Sequence, residues 1–348
     1  MGMSDLYELS DRKAEILRAL VRHYIRTGEP VGSESLAGAA GFRVSSATIR
    51  NELAALEELG YLTQPHPSAG RVPTELAYRQ YVDLLPARTK LRETERRAIV
   101  GFFDEALADV DAILRGTTQL LSRLTHYASL ALAPSRRETG IIRSELIRLG
   151  TAVLLLVVFD TGHVEKRIVE PAPEENEEDV DRVSDAMNEA FRGKTLAEAG
   201  TILSDWQRRA ESRDRPILAR VADALASIGE TSEAEHIFLG GVGNIAADIG
   251  FDRRETLRQI YDALERESAV LRLLREAAAT SPVSVTIGRE NPVPEMWEAS
   301  LVAAPFAAGS AVGTIGVVGP IRMDYQSAIS AVRAVAERLS AAVEALSR

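Results

Sequence analysis

The 348-residue chain has no cysteine, which excludes disulfides and thiolate metal sites. This absence suits a reducing compartment, and we expect a cytoplasmic protein. No apolar signal core follows the amino terminus, so the sequence predicts no secretion. None of the five histidines has metal-ligand spacing to another histidine, and no serine elbow or pair of catalytic acids stands out. We therefore expect no enzymatic activity, no metal and no cofactor.

Long hydrophobic runs are scarce as well. Residues 299–321 contain no charged side chain, but prolines and glycines interrupt them: Pro305, Gly309, Gly313, Gly316, Gly319 and Pro320. A membrane-spanning helix needs sustained apolarity. Two β-strands joined near Gly309 are the better interpretation, and we expect no membrane partner.

Positive charge is in deficit, with a net charge of −10, which argues weakly against a nucleic-acid partner. The deficit is uneven along the chain. Residues 1–90 contain 11 Lys and Arg and 11 Asp and Glu, whereas the other 258 residues contain 30 and 40. A neutral module on an acidic body can still bind DNA through locally placed arginines.

The amino-terminal part of the chain has the element order of a winged helix-turn-helix. Apolar periodicity with capping residues predicts helices over 10–28, 33–40 and 45–60. Two short extended pieces around a Pro-Ser-Gly tip predict a hairpin over 61–74, and a fourth helix is expected over 74–86. Helix, helix, turn, helix and hairpin is the winged-helix order, in which the third helix lies in the major groove.

The third predicted helix follows a turn at Gly41-Phe42 and has two different faces. One face is an apolar stripe expected in the core: Ile49, Leu53, Leu56 and Leu59. The other carries residues able to reach bases and phosphates in its first turns: Ser45, Ser46, Thr48, Arg50 and Asn51. Arginine can read guanine, asparagine can read adenine, and a helix amino terminus favours phosphate. The wing adds residues suited to backbone or minor-groove contact: His66, Ser68 and Arg71. An amphipathic helix in a protein-interaction module is the alternative.

The rest of the chain is predicted to be an α/β body. A linker and a helical region that runs to about Leu132 precede two or three strands, which end at Pro171. Residues 172–233 are expected to form a mainly helical insertion. One strand, a long helix over 251–279, further strands and a last helix from near Asp324 complete the chain. The fold class is therefore multidomain α+β.

Two local motifs allow more than one interpretation. Gly241, Gly243 and Ala246 match the G-x-G-x-x-A pattern of dinucleotide sites. Such a site needs a second strand soon after its helix. The chain continues here as a helix, so a tight strand-to-helix turn is favoured. Near the last helix, Arg322 and Asp324 are expected to form an ion pair that fixes a turn, and ligand binding at this junction is the alternative.

The chain resembles the HrcA family of heat-inducible transcription repressors over nearly its whole length. The resemblance rests on five segments: YIRTGEPVGSESLA, VSSATIRNELAALEELGYLTQPHPSAGRVPTELAYRQYVD, LGGVGNIA, IGRENP and GTIGVVGPIRMDY. It implies a winged-helix DNA-binding domain over 1–86 and a GAF-like domain in two parts, 87–171 and 234–348. It also implies an inserted dimerising domain over 172–233.

The resemblance further implies a homodimeric repressor that binds an inverted-repeat operator in double-stranded DNA upstream of chaperone operons. Repression would be relieved on heat stress, and chaperonin would keep the repressor active. No cofactor or enzymatic activity is implied. A ligand-sensing regulator that uses the GAF-like domain is the alternative, because GAF-like folds often bind small molecules.

Overall fold

The computed structural model describes residues 9–39, 45–67, 69–86, 91–105, 110–134, 139–150, 152–169, 177–210, 214–231, 236–247, 254–278 and 282–346. The Gly41-Phe42 turn and the wing residue Ser68 lie outside the described residues. Helices and strands are mixed, as predicted for an α+β fold. Across these ranges, no helix is long and apolar enough to cross a membrane.

The amino-terminal module contains four helices and a hairpin: α1 (Asp11–Thr27), α2 (Ser33–Ala39), α3 (Ser46–Glu58), β1 (Leu62–Thr63), β2 (Val72–Pro73) and α4 (Glu75–Asp83). This order confirms the predicted winged helix. β1 and β2 pair in antiparallel fashion. An isolated bridge between Val31 and Arg71 ties the segment before α2 to the hairpin. Gly28 ends α1 with a φ of 73°, a left-handed conformation that glycine adopts without strain.

The body begins with two helices and four strands: α5 (Glu93–Glu105), α6 (Val110–Thr125), β3 (Ala128–Leu132), β4 (Ile141–Leu149), β5 (Ala152–Phe159) and β6 (Val164–Val169). The described chain then continues as α7 (Glu177–Phe191), α8 (Leu196–Arg209), α9 (Arg215–Thr231), β7 (Ile237–Gly240), α10 (Gly243–Ala247), α11 (Arg254–Glu265) and α12 (Glu267–Ala278). It ends with β8 (Ser284–Ile287), β9 (Ala299–Ala308), β10 (Ala311–Pro320) and α13 (Tyr325–Leu346).

A five-stranded antiparallel sheet forms the centre of the body, in the order β7-β3-β10-β9-β8. β9 and β10 form the predicted hairpin, and Gly309 at its turn has a φ of 59°. α6 and α13 contribute to one hydrophobic cluster with this sheet, and α11 and α12 contribute to another. The first of these clusters also includes the buried residues of the winged-helix module. Module and body therefore share one apolar core.

A separate three-stranded sheet, in the order β4-β5-β6, packs against α7, α8 and α9. Successive residues of β5 alternate between buried and half-buried, so one face of this sheet is covered by the helices and the other is not. The division made from the sequence assigns these strands to the GAF-like domain. In the structure they pair with one another and share their core with the inserted helices.

Two predicted helices are wrong in extent. The helical region expected to reach Leu132 ends at Thr125, where His126 takes a φ of 61°, and β3 follows in the middle of the sheet. The long helix expected over 251–279 is two described helices, α11 and α12. They separate at Arg266, whose amide donates to Ala263 O at 3.2 Å. Neither break carries a glycine or proline, which are the usual signals in a sequence.

The glycine-rich turn after β7 confirms the structural interpretation of that motif. Gly241 has a φ of 61°, and a Cβ there would lie 1.6 Å from Ser122 Oγ. The close approach of the turn to α6 requires glycine. The next described strand after this turn is β8, and both α11 and α12 precede it. Over the described residues, the second strand that a dinucleotide site needs does not follow this turn directly.

The predicted Arg322–Asp324 ion pair is wrong. In the part of the chain that the structure describes, the two side chains take different partners. Arg322 Nη1 donates to Ile25 O of α1, at 3.5 Å. Asp324 Oδ1 accepts from Ser327 N at 3.1 Å and so caps α13. Asp324 fixes the helix start, and Arg322 reaches the DNA-binding module.

Candidate nucleic-acid interface

The amino terminus of α3 is built by Ser45. Its backbone is extended, with φ −68° and ψ 155°, and its Oγ accepts a hydrogen bond from Thr48 N at 3.1 Å. Ser45 Oγ also lies 3.0 Å from Thr48 Oγ1, so the two hydroxyls share a hydrogen bond. The predicted cap is confirmed. It satisfies one of the free amides at the helix start and leaves the remaining positive end of the helix dipole at the surface.

The rear of α3 is buried as predicted. Ile49, Leu53 and Leu56 are fully buried against the core residues of α1: Ile16, Leu17, Leu20 and Val21. Leu59, the fourth member of the predicted stripe, is half-buried. Burying a leucine side chain stabilises a fold by about 1.5–3 kcal/mol. The leucines therefore orient α3 with its opposite side to solvent.

The exposed side of α3 begins at the capped end. Ser46, Arg50 and Asn51 are exposed, and Thr48 is half-buried. Within the described residues, Arg50 and Asn51 have no hydrogen-bond or ion-pair partner. Ala47, between them and the cap, is small and exposed. The face thus presents free donors and acceptors with no bulky apolar group in front of them.

Arg71 of the wing is held by the module itself. Its Nε donates to Glu57 Oε2 at 2.9 Å, and its backbone amide and carbonyl each bond to Val31 at 2.9 Å. The preceding Gly70 lies so close to Val31 that a Cβ would fall 2.5 Å from the Val31 carbonyl carbon. Arg71 therefore braces the hairpin against α3, and its guanidinium is only partly available to a ligand.

The tip of the wing is organised by Gln64, which the sequence analysis missed. Its Nε2 donates to Pro67 O at 3.0 Å and to Ala69 O at 2.7 Å. Ala69 N donates to His66 O at 2.9 Å, and His66 is exposed. A glutamine directly before a Pro-Ser-Gly tip is the sequence signal, because its amide can bond to the carbonyls that such a turn leaves free.

Two cations of α1 sit beside α3. Lys13 Nζ lies 3.3 Å from Glu52 Oε2, and Arg12 Nη1 lies 3.8 Å from Glu52 Oε1. Glu52 is largely buried, with 18% of its side chain exposed. Glu52 offsets one of these two positive charges, so the flank adds a net charge of +1 to that of Arg50 and the helix terminus.

The arrangement suits a groove of DNA. A capped helix end, small residues and the Arg50 guanidinium, which has no partner in the described part of the chain, allow close approach to a base edge or phosphate. The structure brings together Ser45, Ser46, Thr48, Arg50 and Asn51 on one helix end. His66 and Arg71 lie on the adjacent hairpin. Over the described ranges, no group of three or more histidine and acidic side chains is placed to hold a metal ion.

Two family models match this chain. The model described as "Winged helix-turn-helix transcription repressor, HrcA DNA-binding" matches residues 8–83. The model described as "HrcA protein C terminal domain" matches residues 111–329. The first match covers the module that carries α3 and the wing, and the second covers most of the body.

Similar proteins agree with these models. A heat-inducible transcription repressor HrcA from Nocardia farcinica is 40% identical over 331 residues, which is 94% of each chain. The protein of the same name from Thermobifida fusca is 41% identical over 337 residues, covering 96% of this chain and 97% of its own. A crystal structure described as a hypothetical protein shares the fold, with a TM-score of 0.67, 24% identity, and coverage of 97% and 100%. The chain therefore belongs to the HrcA family of heat-inducible transcription repressors, which bind DNA through a winged-helix domain.

Proposed function

We propose that the protein is a homodimeric repressor that reads an inverted-repeat operator with the first turns of α3. The observation that carries this proposal is the exposed pair Arg50 and Asn51 beside a capped helix end, which have no partner among the described residues. In this proposal these two side chains read base edges. Phosphate is held by Ser45, Ser46 and Thr48, together with the helix terminus. The wing residues His66, Ser68 and Arg71 contact the backbone or minor groove.

The test is binding to an inverted-repeat operator and to scrambled DNA over a salt series. We expect the logarithm of the affinity to fall linearly with the logarithm of salt concentration on both DNAs, because cations released from phosphate drive binding. At physiological salt the operator should bind at least about a thousandfold more tightly than scrambled DNA. Equal affinity for the two DNAs would refute specific operator recognition.

We also propose that the outer face of the three-stranded sheet forms the dimer contact. Nine large hydrophobic side chains are exposed among the described residues, and five of them lie on β4 and β6: Ile142, Ile147, Leu149, Val164 and Ile168. Such clustering is unusual for a monomeric surface. Ile168, at 72% exposed, is the most open of them.

The charges on this sheet favour a second copy of the chain as its partner. Leu156 in the middle strand pairs with Glu145 on one side and with Lys166 on the other. A twofold axis parallel to β5 would bring Glu145 of each copy opposite Lys166 of the other. Opposite charges would then meet around the apolar centre, as a self-complementary interface requires.

The dimer contact is tested by Ile168→Glu in the full chain. The side chain is exposed in the monomer, so folding should persist while the buried carboxylate opposes association. We expect sedimentation to show monomers and operator affinity to fall with them. Val312→Glu is the matched control, because Val312 is also an exposed strand residue, at 56%, but lies on β10 of the other sheet. A dimer that survives Ile168→Glu unchanged contradicts this contact.

The packing of the three-stranded sheet against its helices also supports limits for the inserted unit. We propose that it extends from about Thr139 to Thr231 and so includes β4, β5 and β6 with α7, α8 and α9. The shared hydrophobic cluster of these elements supports this division. The GAF-like domain would then consist of the five-stranded sheet with its own helices, and the inserted unit would dimerise.

Heat and chaperonin would act on the stability of the folded dimer. We propose that heat lowers the fraction of folded dimer, and that chaperonin restores it, because only the folded dimer binds the operator. The support is membership in a family of heat-inducible repressors. A repressor of chromosomal operons acts in the bacterial cytoplasm. Operator occupancy measured in cells depleted of chaperonin should fall, and unchanged occupancy refutes the chaperonin step.

A further inference from the structure

Helix α4 of the DNA-binding module is fastened to the body by Arg79. Its Nη1 donates to Val285 O of β8 at 2.8 Å and contacts Glu290 Oε2 at 3.1 Å. Its Nη2 lies 3.0 Å from Asp83 on the same helix. The guanidinium therefore bridges a strand end, a loop carboxylate and its own helix. Only 21% of the Arg79 side chain is exposed.

A second contact joins the start of α4 to the same loop. Glu75 Oε2 accepts from Arg289 N at 3.1 Å. Gly288, with a φ of 53°, makes room for this carboxylate, since a Cβ there would lie 2.5 Å from Glu75 Cδ. The start and the middle of α4 are thus held by one loop, residues 288–291, which we call the docking loop.

The docking loop is stiff. Asn291 is buried, and its Nδ2 donates to the carbonyls of Gly288, Met296 and Ala299 at 2.8, 3.1 and 2.9 Å. Glu290 Oε2 also accepts from Ile287 N at 2.9 Å, which fixes the carboxylate that Arg79 meets. A loop held by this many hydrogen bonds is rigid, so it fixes the position of α4 relative to the body.

A third set of contacts joins α4 and α1 to the segment of the body at the start of α13. The rings of Tyr78 and Tyr325 are 6.0 Å apart, and Tyr325 Oη bonds to Ser300 Oγ at 2.7 Å. Burial raises the pKa of both tyrosines, so they stay neutral in this contact. Arg322 reaches the carboxyl end of α1, where a Cβ on Gly28 would lie 2.5 Å from its Nη1. None of these residues belongs to the exposed face of α3.

We infer that the docking loop, held by Glu75 and Arg79, sets the orientation of each recognition helix on the body and thereby selects the spacing between operator half-sites. These residues are positioning residues, since they act through α3 and touch no DNA in the proposed complex. The inference rests on the proposed dimer. It extends that proposal, because it predicts which spacing between half-sites the dimer accepts.

The physical reason is effective concentration. Two modules held rigidly on one dimer meet two half-sites at one distance and one helical phase, where binding of the second is strongly favoured. Half-sites repeat on the same face of DNA about every 10–10.5 base pairs. A loosened module spreads over many orientations. It gains tolerance for other spacings and loses affinity at the preferred one.

The experiment measures affinity of the full-length protein for inverted repeats whose spacer is varied in single base-pair steps. For the unaltered protein we expect about a hundredfold loss when the spacer changes by about half a helical turn. For Arg79→Ala we expect about tenfold weaker binding at the preferred spacing and less than a tenfold loss over the same change. Affinity for random DNA should stay within about twofold, because α3 is untouched.

The matched control is Gln80→Ala, next to Arg79 on α4, where the described residues include no hydrogen-bond partner for the side chain. It should keep the original spacing profile. Gly288→Ala perturbs the same contact from the body side by intruding on Glu75, and it should broaden the profile as Arg79→Ala does. This second variant keeps the test usable if Arg79→Ala folds poorly.

The outcomes separate the two claims. If the unaltered protein shows no spacing preference, the proposed dimer on an inverted repeat fails. If it shows a preference that Arg79→Ala and Gly288→Ala both leave as sharp as before, the positioning role is overturned. Equal loss at every spacing with a lowered melting temperature marks a merely structural role and overturns it as well. A broadened profile with intact random-DNA binding supports it.

Discussion

α3 and α4 are two amphipathic helices of one module, and both bury one face in the same core. Their polar faces differ. Arg50 and Asn51 of α3 are exposed and without a partner among the described residues, whereas Glu75 and Arg79 of α4 are bound to the body. The comparison teaches that the type of polar residue does not distinguish a ligand-facing helix from a docked one. What distinguishes the two helices is the hydrogen-bonding capacity that remains free after folding.

The largest expected effect comes from removing the packing that aims α3. Leu53 is fully buried, so Leu53→Ala should cost about 2–5 kcal/mol of unfolding free energy through lost burial and a cavity. Urea unfolding followed by circular dichroism measures this cost, and operator binding should fail in parallel. Leu76→Ala on α4 is the control, because Leu76 is exposed at 37% and should cost little. Equal costs at both positions would mean that α3 has no special place in the core.

The next largest effect is expected at Arg50 of α3, where a loss of DNA binding can be compared with any loss of stability. Arg50→Ala should weaken operator binding by about 1–3 kcal/mol, mostly on the specific sequence, if the guanidinium reads a base. Stability should change by less than about 0.5 kcal/mol, because Arg50 has no partner within the described residues. Titration of operator and scrambled DNA measures both losses. Equal weakening on the two DNAs would leave Arg50 as a phosphate contact and contradict base reading.

The sequence predicted α3 and the wing well because their signals are local. A serine cap, an apolar stripe and a Pro-Ser-Gly tip each specify structure within a few residues. The docking of α4 could not be predicted, since Arg79 and Glu290 are 211 positions apart. Arg71 was placed on DNA for its charge, and only the fold shows that Glu57 occupies its Nε.

The body shows the same limit in its strands. β3 is a run of five buried residues without alternation, which periodicity cannot distinguish from the end of a helix. The segment is a strand because it pairs with β10 and β7, whose residues are distant in the sequence. The strands β4 to β6 were recognised as strands. Their assignment to a domain depends on which helices cover them, and that information lies in α7, α8 and α9.

A smaller effect tests the capped end of α3 itself. Ser45→Ala removes the acceptor for Thr48 N and should cost about 1 kcal/mol of stability. Ser45→Asp is the informative partner variant, because aspartate caps as well but adds a negative charge beside DNA phosphate. We expect Ser45→Asp to keep stability and to weaken binding to every DNA, most at low salt. Melting curves and titrations separate the two roles, and unchanged DNA binding in Ser45→Asp would remove the capped end from the interface.

The smallest effect concerns the flank of α3, where Glu52 pairs with Lys13 and Arg12. Glu52→Gln should cost no more than about 1 kcal/mol, because the cations are partly exposed and solvent screens the pairs. DNA affinity should rise instead, since the module loses a negative charge and both cations become available to phosphate. Each additional phosphate contact steepens the dependence of log affinity on log salt by about 0.9. A salt titration of Glu52→Gln beside the unaltered protein measures that slope. An unchanged affinity with an unchanged slope would mean that this flank faces away from DNA, and that α3 meets its groove from the wing side alone.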